Sequence, residues 1–518
     1  MQKSLRVLIQ KKNNITVVVL ATILGGWVWS FATILSGFPL NDGGLFQVMI
    51  RSIVENNLRL PDLIHYNDLD LPFAYPPLSF YIGALISRIF HVDPVEILRW
   101  LPVFIITLSI PALYYLAKLL LDSPIKASIA AFIFAFTPRA MDWRIMGGGL
   151  SRSFGLLFLL FTLASVYQLF EKGNKKYLLA AILFAALTVL SHPEAAIHTI
   201  SFSLLIWVFK GRNKEGALNA VWVALGTILL TSPWWIHLLT RFGLDPMLAA
   251  AQTGFHSAFA VLIPIFFILT DEPLVTFIAV LGIIGFIRQI AKRDYLLVIA
   301  YILPFIVEPR SAPVYAVIPL AMLAALTLSE VVIPAIPQGR GVPQIFATFI
   351  AIYLIGGALY FQTQFAGTSV SQANREAFEW IKTNTPLESR FLVLTGEGDI
   401  FCDGISEWFP ALTDRTSLTT IQGIEWIPGK FSSAASTQRT MQDCVADNNA
   451  LECIENTAQS SSLAYDYIYI AHQATIKTAC RVTASTTRGD NLINTLIMNN
   501  KYKPVFQTNE ISIFQFQK

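Results

Sequence analysis

Charged residues are scarce in this sequence: they make up 14% of its 518 residues, against 54% hydrophobic residues, and the mean hydropathy is +0.55. So low a charged fraction excludes an ordinary soluble protein of this length. The net charge is only +3 and no RNA- or DNA-binding motif is present, so no nucleic-acid partner is expected. The phosphate-loop pattern GxxxxGK[ST] is also missing, which argues against a nucleotide site.

What the first 365 residues do contain is a series of apolar runs that could cross a bilayer, which takes about 20 helical residues. We predict about eleven transmembrane spans from these runs. They lie at 15–37, 99–117, 126–138, 153–170, 177–191, 196–209, 217–239, 273–288, 295–307, 313–329 and 343–364. Two further apolar stretches, 76–90 and 256–269, are predicted to be re-entrant or surface-lying helices on the outer side.

Lysine is missing from every second connection between the predicted spans. The lysines before residue 365 all fall in connections on one side: Lys3, Lys11, Lys12, Lys118, Lys126, Lys172, Lys175, Lys176, Lys210, Lys214 and Lys292. Because an excess of basic residues marks cytoplasmic loops, these connections and the N-terminus are predicted to be cytoplasmic. No cleavable signal is evident, so the first apolar run is expected to remain as a span. The predicted location is the cytoplasmic membrane, with the C-terminal region outside.

Cysteine is missing from the membrane half, and the four cysteines all lie in the tail. An even number in a region predicted to be extracytoplasmic indicates two disulfides. Of three possible pairings we favour Cys444–Cys453 with Cys402–Cys480, because the first two lie close along one predicted helical segment. Four reduced, buried thiols are the alternative.

The tail, residues 371–518, is predicted to be an α/β domain separate from the membrane domain at 1–365. An amphipathic helix follows Ser371 and ends before Pro386. Predicted strands at 390–395 and 466–471 and two final strands alternate with helices near 407–413, 436–457 and 489–499.

Ionisable residues collect at the outer ends of the predicted spans, where they are costly and often functional. Asp42 follows the first span, in NDGG, and the second outer loop carries Arg139, Asp142, Arg144 and Arg152 around a glycine run. Further along the chain come His192, Glu194 and His198, then DEP at 271–273, then Glu308 and Arg310. Arginines without lysines suit a bidentate grip on phosphate. Asp42, Asp142, His192 and Glu194 could bind a divalent cation such as Mg or Mn, or a carboxylate could act as a general base.

Structural roles could account for the same residues. Asp42 could cap a helix, Arg139 and Arg144 could place their charges at the membrane surface, and His192 could be an ordinary core histidine. In the tail, Glu407, Trp408, Glu425 and Trp426 suit stacking on a sugar, docking on the membrane half, or plain structural use.

The order of four short motifs resembles the GT-C superfamily of membrane glycosyltransferases, and in particular the bacterial branch that includes protein O-mannosyltransferases and aminoarabinose transferases. The motifs are an acid directly after the first span (Asp42), YPPL from Tyr75, RWLP at 99–102, and the exit TPR at 137–139 into a second outer loop. The likeness covers residues 15–200 well and the later spans by topology.

This resemblance implies a polytopic helical fold and sugar transfer from a polyprenyl-phosphate donor on the outer leaflet to an unknown glycan, lipid or protein acceptor. By resemblance Asp42 is the base or metal-site residue. Asp142 matches a second acidic position but stands alone and not in a paired DxD. Candidates for holding the lipid phosphate are Arg139, Arg144, Arg152, Arg310 and Tyr75.

Two other functions remain open at this point. A lipid-linked sugar transporter or flippase would be expected to carry ionisable residues within several spans, whereas these spans are nearly free of charge. A non-catalytic scaffold with an outer binding domain would tolerate Asp42→Asn.

Overall fold

The first two thirds of the chain form a bundle of apolar helices. The computed structural model describes residues 2–517 apart from 254–269, 274, 338, 340, 479 and 488. In this region its helices are α1 (Gln2–Ser36), α2 (Gly44–Glu55), α3 (Leu78–Phe90), α4 (Pro94–Leu120), α5 (Pro124–Ala135), α6 (Pro138–Ile145), α7 (Gly149–Lys172), α8 (Lys175–Val189), α9 (Pro193–Lys210), α10 (Lys214–Phe242), α11 (Asp245–Ala251), α12 (Phe277–Ala291), α13 (Leu296–Val307), α14 (Ala312–Thr327), α15 (Ile333–Ala335) and α16 (Val342–Ala366). A hairpin of β1 (Leu63–Tyr66) and β2 (Leu69–Pro72) separates α2 from α3.

Several of these helices are suited to a membrane. Among the described residues, six are long and apolar enough to cross one, namely Ile15–Ser36 of α1, α4, α7, α10, the stretch Ala312–Ala335, and α16. Large apolar side chains such as Leu229 of α10 (72% exposed) and Ile345 of α16 (70% exposed) point away from the bundle, as lipid-facing residues would. The chain is therefore a multi-pass membrane protein.

The eleven predicted runs all coincide with helices of the structure, although α5, α8, α12 and α13 are shorter than a full span. The count of eleven spans stays a prediction. Of the two stretches predicted to lie outside the count, 76–90 contains the short helix α3, while 256–269 falls outside the described residues.

Two of the connections predicted to be cytoplasmic meet at one acidic residue. Lys126 at the start of α5 and Lys292 at the end of α12 both pair with Glu330, which Arg288 also contacts at 3.0 Å. Short turns in connections predicted to be cytoplasmic begin their helices with side-chain caps. Ser123 accepts from the backbone N–H of Lys126, and Asn174 accepts from that of Lys176. Lys126 and Lys292, which are far apart in sequence, thus lie together, and the side of the membrane on which they lie stays a prediction.

The C-terminal region is built on a sheet with strand order β4-β3-β5-β9-β8. Strands β3 and β5 are parallel, and β9 runs antiparallel to both β5 and β8. The elements are α17 (Gln372–Asn384), β3 (Arg390–Leu394), α18 (Gly404–Thr413), β4 (Thr416–Ser417), α19 (Phe431–Cys444), α20 (Ala450–Ser460), β5 (Tyr467–Ala471), β6 (Gln473–Thr478), β7 (Arg481–Thr487), α21 (Asp490–Met498), β8 (Tyr502–Gln507) and β9 (Ile511–Phe516). Helices and strands alternate around this sheet, and β6 and β7 form a separate antiparallel hairpin.

Two disulfides hold this region, and they join Cys402 to Cys480 and Cys444 to Cys453. The reason given for the second pair was wrong. Nine residues along a single helix span about 13.5 Å, too far for the 5.6 Å between these two Cα atoms. The predicted helix 436–457 is instead two helices, α19 and α20, and the turn between them brings the cysteines together.

The C-terminal region packs directly on one end of the bundle. Phe38, just after α1, contacts the ring of Trp408 on α18 with centroids 4.8 Å apart. Trp408 is fully buried, and its apolar core is continuous with that of the helical bundle. This contact places α18 next to the segment that carries Asp42.

Candidate active site

Asp42 lies where two loops and the C-terminal region meet. Its Oδ1 accepts a hydrogen bond from the backbone N–H of Gly148 at 2.9 Å, and its Oδ2 lies 3.4 Å from Nη1 of Arg152. Arg152 also donates to the carbonyl of Trp143 and lies over the Trp143 ring. The Asp42 carboxylate is therefore held by a backbone amide and a guanidinium from the second outer loop and the start of α7, and it does not cap its own helix.

The glycine run 147–149 permits this close approach. A Cβ on Gly147 would lie 2.2 Å from the backbone oxygen of Asp42, and a Cβ on Gly148 would lie 2.3 Å from Asp42 Oδ2. The N–H of Gly147 donates to the carbonyl of Leu40 at 3.0 Å. Only glycine leaves room for the two loops to touch through their backbones, which is a physical reason for GGG at this place in the sequence.

Glu407 of α18 holds the same segment from the other side. Its Oε1 accepts from the backbone N–H of Gly43 at 2.9 Å, at the start of α2, where Gly43 has no side chain to act as a cap. Trp408 donates from Nε1 to the carbonyl of Asn41 at 2.9 Å. The Glu407 carbonyl accepts from the hydroxyl of Tyr66 at 2.6 Å. Of the roles left open for Glu407 and Trp408, the structure shows docking on the membrane half.

Burial first, and then the negative charge of Asp42, raise the pKa of Glu407 to about 8, against the opposing effect of the backbone N–H groups of Gly43 and Leu45. Glu407 is consequently protonated through the neutral pH range. A neutral carboxyl can lie beside the Asp42 carboxylate without adding a second negative charge.

Asp142 of α6 belongs to a different set of contacts. Its Oδ1 accepts from the N–H of Trp143 at 2.7 Å, and its Oδ2 lies 3.8 Å from Arg139. Arg139 also pairs with Asp271, with Nε and Oδ2 2.7 Å apart. Burial is the main cause that raises the pKa of Asp142 to about 7; Arg139 opposes this rise and the charge of Asp271 contributes to it. Two acids from separate loops thus share Arg139, an arrangement that sequence spacing did not reveal.

Basic and acidic groups also meet at the N-terminal ends of α9 and α14. Glu194 lies within electrostatic range of Arg310, Arg152 and Arg144. Arg310 lies over the ring of Phe401 from the C-terminal region, 5.4 Å from its centroid. The loop before α14 is fixed by Glu308, whose side chain accepts from the backbone N–H groups of Arg310 and Ser311.

Arg144 differs from the other arginines because its guanidinium is only 1% exposed. It donates from Nη1 to the carbonyl of Ala140 at 2.6 Å and lies over the Tyr315 ring.

His192 directly precedes α9 and packs near Tyr75. Its Nδ1 lacks a hydrogen-bond partner among the described residues.

Tyr75 lies between these charged groups and a cluster of aromatic side chains. Its hydroxyl accepts from Ser151 at 3.3 Å, and its ring contacts Phe46, Phe80 and Trp426. Burial raises its pKa to about 12, so the phenol stays protonated and can donate a hydrogen bond. Trp426 is 5% exposed and belongs to this aromatic cluster.

The four residues predicted as metal ligands are not brought together. Among the described residues, one group of three potential ligand side chains lies within ligating distance, and it consists of Asp399, Cys402 and Cys480. The two sulfurs of that group form a disulfide and cannot act as thiolate ligands. Asp42 contacts Gly148 and Arg152, and Asp142 contacts Arg139. This donor geometry does not fit a cation held jointly by Asp42, Asp142, His192 and Glu194.

One protein family and several solved structures are similar to this chain. The sequence model of the dolichyl-phosphate-mannose-protein mannosyltransferase family matches residues 74–237. No curated protein matches the sequence. Among solved structures, the archaeal oligosaccharyltransferase AglB from Archaeoglobus fulgidus, in complex with an inhibitory peptide and a dolichol-phosphate, is similar with a TM-score of 0.57 at 15% identity, over 89% of this chain and 70% of that one.

Two further structures agree. ArnT from Cupriavidus metallidurans, bound to undecaprenyl phosphate, is similar over 96% of this chain and 97% of that one, with a TM-score of 0.54 at 11% identity. The arabinofuranosyltransferase AftD from Mycobacteria has a TM-score of 0.55 at 14% identity, over 96% of this chain and 40% of that one. The chain has the GT-C glycosyltransferase fold.

The GT-C resemblance drawn from the four motifs is confirmed. The family match at 74–237 contains YPPL, RWLP and the second outer loop, but it begins after Asp42. The prediction missed Gly148 and Glu407 as direct partners of the Asp42 segment. The GG and GGG sequences were a usable signal for a close backbone approach.

Proposed function

We propose that this protein transfers a sugar from a polyprenyl-phosphate donor to an acceptor at the outer face of the membrane, with inversion at the anomeric carbon. An acceptor nucleophile attacks that carbon from the face opposite the phosphate. The bond from the anomeric carbon to the phosphate oxygen breaks, and the lipid phosphate leaves with the electron pair. The proton of the acceptor passes to a carboxylate.

The observation that carries this proposal is the fixed position of the Asp42 carboxylate. Gly148 and Arg152 fix its direction, so the acceptor would meet a base already in place. Each of its oxygens has one such contact and retains acceptor capacity for a substrate hydroxyl. Asp142 is buried and pairs with Arg139, so its role in the proposal is to position the second outer loop.

The arginines would stabilise the leaving phosphate. Arg152 and Arg310 are the two arginines best placed to bind the phosphate, because both lie near Glu194. Their guanidinium groups also retain N–H donors that do not bind backbone carbonyls. Arg144 is buried and donates to backbone oxygens, and Arg139 pairs with two acids, so these two position the loops. The Tyr75 phenol can donate a further hydrogen bond to the donor.

The class of donor rests on the solved relatives. Those structures hold dolichol-phosphate in AglB and undecaprenyl phosphate in ArnT. A polyprenyl phosphate is therefore the proposed leaving group here. The archaeal oligosaccharyltransferase has also been solved with Zn and sulfate. Because the donor set in this chain is not gathered for a cation, no step is assigned to a metal.

The membrane orientation is a separate proposal that supports the same site. With lysine-rich connections in the cytoplasm, Asp42 and the disulfide-bonded region lie outside. Single cysteines introduced at Lys175 and at Arg59 test it with a membrane-impermeant maleimide on intact cells. Labelling at position 59 and not at position 175 is expected, and the reverse pattern would overturn the orientation.

Turnover of radiolabelled sugar on polyprenyl phosphate tests the function. The purified full chain in lipid nanodiscs is given a set of such donors together with membrane extract as a source of acceptors, with and without EDTA. Release of free lipid phosphate together with labelled acceptor supports the proposal. If no donor is consumed while the protein remains folded, the proposed reaction is wrong.

A further inference from the structure

Asn41 directly precedes Asp42, and its side chain has a partner in the C-terminal region. Asn41 is fully buried, and its Nδ2 donates to the backbone carbonyl of Phe401 at 2.9 Å. The same nitrogen lies 3.6 Å from Sδ of Met146 in the second outer loop. The Asn41 side chain therefore lies between two parts of the protein, and the chemistry proposed at Asp42 gives it no role so far.

The backbone of Asn41 has the left-handed conformation, with a φ of 50°. Asparagine is one of the few residues besides glycine that adopts this conformation readily. Consecutive side chains at this turn reach different regions. Asn41 reaches Phe401, whereas Asp42 reaches Gly148 and Arg152. The conformation of Asn41 thus sets the point from which the Asp42 side chain starts.

Hydrogen bonds also hold the peptide groups on both sides of Asn41. The carbonyl of Leu40 accepts from the N–H of Gly147 at 3.0 Å. The carbonyl of Asn41 accepts from Nε1 of Trp408 at 2.9 Å. The bundle therefore holds the peptide group before Asn41, and the C-terminal region holds the one that leads to Asp42.

The Phe401 carbonyl is a fixed acceptor. The next residue, Cys402, is joined by a disulfide to Cys480. The N–H of Phe401 donates to Oδ1 of Asp399 at 3.1 Å. Asn41 therefore donates to a part of the C-terminal region that is itself held on both sides of the accepting carbonyl.

A second asparagine makes a similar contact away from Asp42. Asn67, in the turn between β1 and β2, also has a left-handed backbone, with a φ of 54°. Its side chain donates to the carbonyl of Ser417 at 2.9 Å and accepts from the Ser417 N–H at 2.7 Å. Asn67 thus docks the first outer loop on the C-terminal region without adjoining Asp42 in the chain. A comparison of the two asparagines separates docking from control of the carboxylate.

We propose that Asn41 is a positioning residue, whose hydrogen bond to the Phe401 carbonyl holds the Asp42 carboxylate in the direction in which it receives the acceptor proton. The inference rests on the proposed transfer reaction, in which Asp42 is the base. Asn41 acts through Asp42 and touches no reacting atom. A displaced base slows the reaction even when the substrates stay bound, because proton transfer requires hydrogen-bond reach.

Steady-state transfer by the purified full chain in lipid nanodiscs tests the proposal. Asn41→Gly keeps the left-handed backbone and removes the amide, and Asn67→Gly is the matched control. Asn41→Ser, whose side chain is too short to reach the Phe401 carbonyl, repeats the test if the glycine variant does not fold. We expect both Asn41 variants to lower kcat about tenfold or more. The KM for the donor should stay within about twofold of wild type, because the arginines proposed to bind its phosphate are unchanged. Asn67→Gly should keep the wild-type kcat.

Hydrogen exchange provides a measurement that needs no turnover. The N–H of Gly148 donates to Asp42 and not to Asn41, so its exchange reports on the position of the carboxylate. In Asn41→Gly, peptides covering residues 147–149 should exchange about threefold faster or more. In Asn67→Gly the same peptides should exchange at the wild-type rate.

The outcomes separate this role from the reaction itself. Wild-type kcat in folded Asn41→Gly, an equal loss of kcat in Asn41→Gly and Asn67→Gly, or a raised donor KM with unchanged kcat would overturn the role of Asn41 and retain the reaction. If the wild type consumes no donor, the proposed reaction is wrong, and the exchange of residues 147–149 then decides about Asn41. Faster exchange in Asn41→Gly alone retains Asn41 as the residue that holds Asp42, and unchanged exchange overturns that role.

Discussion

The buried carboxyl of Glu407 makes the contact between α18 and the Asp42 segment dependent on pH. Its pKa is raised to about 8 in the folded protein from a reference value of 4.5, first by burial and then by the charge of Asp42. The folded state therefore binds more protons than the opened state between these two pH values. The stabilisation from Glu407 is complete below pH 4.5 and is lost as pH rises through about 8.

The size of the effect follows from proton linkage. In that window the free energy of opening the first turn of α2 should fall by up to about 1.4 kcal/mol for each pH unit. Glu407→Gln keeps an oxygen that can accept from the Gly43 N–H but removes the titrating proton. Its opening free energy should therefore be flat over the same range.

Hydrogen exchange of peptides covering residues 43–47, corrected for the intrinsic pH dependence of amide exchange, measures this free energy from pH 5.5 to 8.5. Glu388→Gln, at an exposed position, serves as the matched control and should follow the wild type. If wild type and Glu407→Gln show the same slope against pH, Glu407 does not cap α2 as a protonated carboxyl.

Two further substitutions follow from the structure. Gly148→Ala would place a Cβ 2.3 Å from Asp42 Oδ2, so the carboxylate must move, and transfer should fall by about 100-fold. Gly356→Ala, with nothing within 4 Å, is the control, and equal activity of both would refute the close contact. Replacing Cys402 and Cys480 by serine opens a loop with a sequence separation of 78 residues and should destabilise the C-terminal region by about 4 kcal/mol. An unchanged denaturation midpoint would contradict that estimate.

Much of the helical bundle could be predicted from the sequence, because an apolar run without charges has few structures available to it in a membrane. Ranges such as 217–239 and 343–364 fall inside α10 and α16. In the tail, strands β3 and β5 were predicted to within a residue or so, since both are short apolar runs between polar segments. The hairpin β6–β7 was missed because its residues are largely polar, and the hairpin β1–β2 was missed because its strands have only four residues each.

The candidate site was predicted only in part. Asp42 was recognised from its position after the first span. Its contacts depend on residues that lie 106 and 110 positions away, Gly148 and Arg152. Glu407 caps α2 across a separation of 364 residues. No local periodicity encodes such pairs, because they arise only when the bundle and the C-terminal region pack together.

The measurement that tests the central claim most directly compares Asp42→Asn with Asp68→Asn in sugar transfer from a polyprenyl-phosphate donor. Asp68 is an exposed turn residue of the same outer loop, with a positive φ that asparagine also accepts. Asp42→Asn removes the base but can still accept from Gly148, so folding should be kept and transfer reduced by about 10²–10⁴-fold. Asp68→Asn should retain full activity. Wild-type transfer rates in folded Asp42→Asn would contradict the assignment of this carboxylate as the base.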